Sequence, residues 1–149
     1  MKILTTEGLL AGIAFVCTTS VALAQAQPPV KLDVGAMEYR SSCAACHGPN
    51  GKGDGPAKPW LVKPPTDLTI LAKANGGVFP VQRAYEIIDG RSMPATGPHG
   101  SREMPVWGTR YSAEASAYFA EVPFPYDTEA FVRTRILALV EYINRLQVR

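Results

Sequence analysis

The sequence CAACHG, Cys43 to Gly48, places two thiols three positions apart and a histidine directly after the second thiol. This spacing brings two sulfurs and an imidazole into one short stretch of chain, where they can act together on a single group. What they do depends on the compartment, because cysteines stay reduced in the cytosol and are oxidised outside it. The role of the motif therefore depends first on the compartment in which the protein is located.

The N-terminus has the pattern of an export signal. Lys2 and the free amine give a positive start, an apolar run of about 17 residues follows, and the run closes on the small-x-small pattern of residues 22–24. A transmembrane helix needs roughly 20 apolar residues, so this run favours a signal peptide over an anchor. We expect residues 1–24 to be a signal peptide, cleaved after Ala24 or Ala26, and the mature protein to reach the periplasm.

The mature chain, residues 25–149, has the size of one domain. Its 125 residues (149 minus 24) can bury a modest core, and its formal charge stays at +2 because the signal removes one lysine and one glutamate. The charge is spread without a dense basic block, which argues against nucleic acid as a partner. Cleavage removes Cys17, so the mature chain keeps Cys43 and Cys46.

Three other uses of these two cysteines fit the sequence less well. A zinc site needs four ligands, and His47 adjoins Cys46 too closely for both to bind one tetrahedral ion without strain. A thioredoxin-type dithiol follows a β-strand, and the residues before Cys43 do not resemble a strand. A local disulfide would leave His47 without a role.

A c-type haem would use every residue of the motif. In CxxCH the two thiols add to the vinyl groups of haem, and the imidazole lies over the porphyrin, where its Nε2 atom can bind iron. We therefore predict one covalently bound haem c, attached through Cys43 and Cys46, with His47 as the proximal iron ligand. The 13 prolines and 13 glycines agree with this prediction, since a loop-rich chain needs the porphyrin as part of its core.

The rest of the chain is predicted to be all-α, with no sheet. Helical spacing and capping signals predict helices over about 32–42, 67–74, 80–89 and 128–149. The last has the clearest apolar stripe, formed by Val132, Ile136, Leu139, Val140, Ile143 and Leu146. The first is expected to turn Leu32, Gly35, Met37, Tyr39 and Cys43 inward. Because Gly35 lacks a side chain, the last helix can approach there, with Leu139 or Tyr142 against it.

The stretch 91–108 lacks helical spacing and holds three candidates for the sixth iron ligand. These are Met93, His99 and Met104. Thioether and imidazole are the groups that usually face a proximal histidine across the iron. The residues alone leave the three alternatives open.

With these features the chain resembles the class I c-type cytochromes over nearly all of its mature length. The resemblance rests on CAACHG, on PPTDLT at 64–69, on IIDGR at 87–91, on MPVWG at 104–108 and on LVEYINRLQ at 139–147. It implies a cytochrome c fold, in which the N- and C-terminal helices cross beside the haem and a third helix lies on its far side.

The resemblance also favours one sixth ligand. In that family the methionine of a late Met-Pro pair binds iron, and Met104 matches, 57 residues after His47 (104 minus 47). Met93 is also followed by proline, so it stays the alternative together with His99.

Further site residues follow from the same resemblance. The carbonyl of Pro64 or Pro65 would accept a hydrogen bond from Nδ1 of His47 and so fix its tautomer. The candidate partners of the haem propionates are Trp60, Trp107, Tyr111 and Arg91. Residues 112–130 are an insert relative to the family pattern, and they form either a patch at the haem edge or for a partner, or an ordinary surface excursion.

A six-coordinate iron has no open site for substrate, so ligation by His47 and Met104 predicts an electron carrier and not an enzyme. We expect periplasmic redox partners, such as a dehydrogenase, a reductase or a terminal oxidase. The alternatives are a haem subunit of a larger dehydrogenase or oxidase complex, with membrane contact only through that complex, and a gas sensor or peroxidase with a labile sixth position.

Overall fold

The computed structural model describes residues 32–91, 96–97, 100–101, 104–122 and 126–148. The chain divides between Lys31 and Leu32, and all described residues belong to the second unit. The predicted signal peptide lies outside the described residues, as do Met93 and His99. No helix in the described part is both long enough and apolar enough to cross a membrane.

The described part is mainly helical, which agrees with the predicted all-α class. The α-helices are α1 (Val34–Glu38), α2 (Ala44–His47), α3 (Leu71–Ala74), α4 (Val81–Asp89), α5 (Trp107–Phe119) and α6 (Thr128–Arg145). A π-helical segment (Tyr39–Cys43) joins α1 to α2, and 3-10 turns cover Lys58–Trp60 and Leu68–Ile70. An antiparallel pairing of β1 (Thr96–Gly97) with β2 (Gly100–Ser101) was not predicted, and at two residues each it is too short to form a sheet layer.

The first helical run is longer than predicted. It begins after Asp33, whose carboxylate accepts a hydrogen bond from the amide of Ala36 at 2.9 Å, and it continues without a break to His47. Its buried residues are Gly35, Ala36, Tyr39 and Cys43. Leu32 and Met37 are exposed, so their predicted inward position was wrong. Leu32 precedes the cap, and Met37 lies about 200° around the helix from Gly35.

Helix α1 packs against α6 at Gly35, as predicted. A Cβ atom at Gly35 would overlap the carbonyl oxygen of Ala138 and would lie 2.9 Å from Cβ of Tyr142. The rings of Tyr39 and Tyr142 pack beside this contact with 5.0 Å between their centroids. The two helices can approach this closely only because position 35 has no side chain.

The core lies between α6 and the helices that pack on it. Five of the six residues in the predicted stripe of α6 are buried, and Leu146 packs partly buried at the edge. Ala84 and Ile88 of α4 also enter the core. Helix α5 was not predicted, yet it contributes Trp107, Tyr111 and Ala115 to the core.

The shorter helices begin and end at local capping residues. Asp67 accepts a hydrogen bond from the amide of Thr69 at 2.8 Å, so it caps the turn that leads into α3. Pro80 is the N-cap of α4, and Gly90 ends that helix in the left-handed conformation with φ 69°.

A partly buried cluster of charges joins α1, α5 and α6. The Glu38 carboxylate accepts hydrogen bonds from Nε and Nη2 of Arg135, at 2.9 and 2.6 Å, and one from the Tyr111 hydroxyl at 3.1 Å. Arg135 also donates to Glu114 at 2.7 Å. Although burial alone would lower the pKa of Arg135, these hydrogen bonds raise it, so the guanidinium stays charged.

We predict that Glu38→Gln lowers the free energy of unfolding by about 2 kcal/mol, because it leaves a partly buried guanidinium without its main counter-charge. The side chains of Arg135 and Glu38 are only 20% and 14% exposed. Glu141→Gln is the matched control, since Glu141 pairs with Arg145 at 58% and 46% exposure and should cost less than about 0.5 kcal/mol. Equal losses in denaturant unfolding would contradict the prediction.

Candidate cofactor site

A cavity of about 360 Å³ opens at the end of the first helical run. Both motif thiols and the motif imidazole line it, and Met104 lines it as well, 57 positions further along the chain (104 minus 47). The lining residues are Ser42, Cys43, Cys46, His47, Leu61, Lys63, Pro64, Pro65, Thr66, Ile87, Met104, Pro105 and Trp107. The fold therefore brings seven of the eight predicted site residues to one cavity.

The loop after the motif holds the end of α2 in place. The amides of Gly53, Gly55 and Ala57 donate to the carbonyls of His47, Cys46 and Ala45, at 2.8, 3.1 and 2.9 Å. A helix end leaves its last carbonyls without hydrogen-bond donors, and here the amides of alternate residues in one loop serve as the donors. The loop must pass close to the motif to do so, and a Cβ atom at Gly55 would lie 2.6 Å from the carbonyl carbon of Cys46.

Tyr39 fixes the residue that follows the motif. Its side chain is fully buried, and its hydroxyl donates to the carbonyl of Gly48 at 2.7 Å. Burial raises the pKa of Tyr39 above its ordinary value, so the hydroxyl remains a donor. The π-helical segment begins at this tyrosine and ends at Cys43. Such segments are rare and occur frequently at functional sites.

The imidazole of His47 is oriented from the other wall of the cavity. Its Nδ1 lies 3.0 Å from the carbonyl oxygen of Thr66, and a carbonyl can only accept. In the neutral ring, Nδ1 therefore carries the proton and Nε2 keeps a free lone pair for a metal. The prediction of Pro64 or Pro65 as the acceptor was wrong by one or two residues.

The reason lies in the backbone path of the prolines. The Pro65 carbonyl faces Gly53, where an added Cβ atom would overlap it. This leaves the next carbonyl, that of Thr66, to meet the imidazole. Pro64 and Pro65 still line the cavity, so they contribute rings to the site and not a hydrogen bond to the imidazole.

The two thiols differ in environment. Both are free, but Cys43 is buried and Cys46 is partly exposed. Burial, together with the nearby Glu38 carboxylate, raises the pKa of the Cys43 thiol to about 12. A thiol in this state is a poor nucleophile at neutral pH.

Met104 reaches the cavity from the start of α5. It is partly buried and packs against the core, three residues before the helix begins at Trp107. The first turn of α5 lies against the end of α4, since a Cβ atom at Gly108 would overlap a carboxylate oxygen of Asp89. Trp107 is 5% exposed and lines the cavity. The unpredicted helix therefore positions this side of the site.

The other candidate propionate partners are placed elsewhere. Trp60 is 80% exposed and does not line the cavity. Arg91 is paired with Asp89 and Glu129, and the Tyr111 hydroxyl donates to Glu38. Of the four candidates, the cavity receives Trp107 alone.

Sequence reasoning missed several lining residues. Ser42 could have been inferred from its position next to Cys43, and Pro105 from its position next to Met104. Lys63 and Ile87 carry no such signal, because a loop and a helix face are brought to the cavity only by the fold.

Among the described residues, no three His, Cys, Asp or Glu side chains are arranged to hold a metal ion together. The thiols and the imidazole of the motif thus do not form a chelating set. No family model matches the chain, and no curated protein or solved structure matches it either.

We predict that Gly55→Ala disturbs the motif, because its Cβ atom would meet the backbone of Ala45 and Cys46, which cannot move aside as a flexible side chain can. The expected cost is about 3 kcal/mol in unfolding free energy. Gly76→Ala is the control: nothing lies within 4 Å of its added Cβ, and its φ of 64° should cost only about 1 kcal/mol. If the NMR signals of Cys46 and His47 shift in Gly76→Ala and not in Gly55→Ala, the predicted crowding at Gly55 is refuted.

Proposed function

We propose that this chain is a periplasmic monohaem c-type cytochrome that carries single electrons between redox partners. One observation supports the proposal above the others. Cys43, Cys46, His47 and Met104 line the same cavity, although the methionine is distant from the motif in sequence. Two thiols that could attach a haem and two side chains of the kinds that bind its iron thus share one site.

The residues present fit a haem. The cavity joins the thiols to apolar and aromatic walls formed by Leu61, Ile87 and Trp107, which suit a flat hydrophobic macrocycle. The hydrogen bond to Thr66 leaves Nε2 of His47 as the atom that could bind iron.

A bound haem would supply a one-electron redox couple between ferrous and ferric iron. The chain's own residues would set its surroundings. His47 would donate to iron from a ring held by Thr66, and such a bond tunes the strength of the donation. The Met104 thioether, as a ligand, would favour the reduced state and so raise the potential. Trp107 is buried and lines the cavity, so it would help to exclude water there, which affects the potential through the local dielectric.

The cytochrome c fold is part of this proposal. In support, the helical run that ends in the motif is the N-terminal helix of the described part, and it packs on the C-terminal helix at Gly35. Helix α4 also packs on α6, as a third helix of the described part. The π-helical segment and helix α5 are additions to the simple pattern implied by the resemblance.

The carrier is favoured over an enzyme by Met104. Met104 lines the cavity, so it could serve as a sixth ligand to a bound iron, which would then have no open coordination site for a substrate. A free shuttle and a subunit of a larger dehydrogenase or oxidase both use such a site. A gas sensor or peroxidase would need a labile sixth position.

The first test concerns covalent attachment. When the chain is exported with a haem-attachment system, haem stain should stay with the protein on a denaturing gel, and a thiol reagent should find no free thiol under denaturing conditions. Cys43→Ala combined with Cys46→Ala should abolish the stain, because no thioether can form.

Thr66→Ala is the matched control for this test, since its side chain is not needed for the carbonyl that meets His47. It should keep the stain. A folded wild-type protein with two titratable thiols and no haem would overturn the proposal.

The second test concerns the sixth ligand. Met104→Ala should remove the weak iron–sulfur charge-transfer band of the oxidised protein and lower its reduction potential, because the thioether stabilises ferrous iron. Met37→Ala is the control, since Met37 is exposed on α1 and does not line the cavity.

Absorption spectra and potentiometry of the two variants decide this point. Loss of the band in Met93→Ala and not in Met104→Ala would assign the other Met-Pro pair. Rapid carbon monoxide binding by the reduced wild-type protein, with peroxide turnover, would favour the sensor or peroxidase.

A further inference from the structure

The side chain of Gln147, just after α6, lies between two backbone groups of a distant helical segment. Its Nε2 atom donates to the carbonyl of Leu68 at 2.7 Å, and its Oε1 atom accepts from the amide of Ala72 at 2.8 Å, 75 positions away along the chain. In a continuous α-helix these two backbone groups, four residues apart, would bond to each other. The Gln147 amide therefore bridges them at the place of a helical hydrogen bond.

The helical segment is broken at this bridge. The 3-10 turn Leu68–Ile70 ends there and α3 begins at Leu71, while Ile70 has the non-helical angles φ −113° and ψ 11°. A side chain that enters the hydrogen-bond ladder is an established cause of such a break. Gln147 thus determines the shape of the segment that follows Thr66.

The Gln147 amide can satisfy its partners in one orientation only. Its Nε2 atom also donates to the carbonyl of Ile143, in the last turn of α6, at 2.8 Å. The two carbonyls require the nitrogen of the side chain, and the Ala72 amide requires the oxygen. The bridge therefore connects the end of α6 to the distant segment with a fixed geometry.

Two backbone bonds complete this clamp. The amide of Val148 donates to the carbonyl of Thr69 at 2.9 Å, and the amide of Leu68 donates to the carbonyl of Gly51, in the loop after the motif, at 2.6 Å. Leu68 is thus held on one side by the motif loop and on the other by Gln147.

The carbonyl that meets His47 belongs to Thr66, two residues before Leu68. Thr66 is exposed, so burial of its own side chain does not hold it in place. The position of its carbonyl depends instead on the neighbouring backbone. That backbone runs from Pro65 through the capping residue Asp67 to the clamped Leu68.

We propose that Gln147 is a positioning residue for the His47 imidazole: through Leu68 it holds the Thr66 carbonyl against Nδ1 and so determines how strongly Nε2 donates to a haem iron. The iron in this statement rests on the proposed function. A hydrogen bond from Nδ1 makes the imidazole a stronger donor, which favours ferric iron. A looser carbonyl would weaken the donation and raise the reduction potential.

The test uses Gln147→Ala in the full chain, exported with its haem. NMR of the reduced protein follows the exchange of the His47 Nδ1 proton with water, and potentiometry gives the reduction potential. The substitution removes three hydrogen bonds worth about 1 kcal/mol each, so the proton should exchange about tenfold faster or more than in the wild type. The reduction potential should rise.

Two further variants separate the bridge from general loosening. Gln147→Glu keeps the size of the side chain, but at neutral pH it sets a carboxylate oxygen against the carbonyls of Leu68 and Ile143, so it should shift both readouts in the same direction as Gln147→Ala. Asn75→Ala is the matched control, because it removes an amide side chain that donates to the carbonyl of Val78 at 2.8 Å, at the other end of α3. It should leave both readouts at their wild-type values.

The wild-type protein decides the point if neither variant at position 147 folds. Opening of the clamp would release the Ala72 amide, the Val148 amide and the Nδ1 proton of His47 together, so their exchange rates should rise in parallel with added denaturant. Exchange of the Nδ1 proton by an opening of its own, independent of the two amides, would overturn the proposal.

The proposal also fails if folded Gln147→Ala keeps the wild-type exchange rate and potential, or if Asn75→Ala changes them as much. A folded chain without haem would refute the proposed function and not the clamp. In that chain the ¹⁵N shifts of His47 should show the proton on Nδ1 in the wild type and a mixture of tautomers in Gln147→Ala. Identical shifts in the two proteins would refute the clamp itself.

Discussion

The close packing of α1 on α6 at Gly35 determines where the motif lies. Helix α6 contributes the largest set of buried residues, and a Cβ atom at position 35 would overlap the backbone of Ala138. The helical run that starts there is continuous to His47, so the position of its first turn also determines the position of its last turn. The loop amides from 53 to 57 then hold the far end. The motif is thus supported on both sides by backbone contacts that only small residues allow.

Elements with their own local signal could be predicted from the sequence. The stripe of α6 repeats at helical spacing, and Asp67 and Gly90 are caps whose chemistry does not depend on distant residues. Helix α5 was missed, although Trp107, Tyr111 and Ala115 follow one another at intervals of four. Its glycine, serines and threonine lower helix propensity, and its packing on α4 and α6 overrides that local weakness.

Within the site, residue types were predictable and partners were not. The motif and the Met-Pro pair indicated which side chains could act, and the fold brings them to one cavity. The acceptor for His47 depends instead on how two consecutive prolines pass Gly53, which is a tertiary constraint. The exposure of Trp60 is another such case, because hydrophobicity alone does not tell an exposed residue from a core residue.

The two kinds of basic residue in this chain have different tasks. A guanidinium binds carboxylates through a rigid fork, and the arginines at 91, 135 and 145 each join elements far apart in sequence. The ammonium group of lysine is more strongly hydrated and makes weaker fixed contacts, and the lysines at 52 and 58 remain outside the ion pairs of the described residues. A frame held by such pairs would require little reorganisation if a bound cofactor changed its charge. The arginine pairs therefore join distant parts of the chain into the kind of frame that the proposed electron carrier would need.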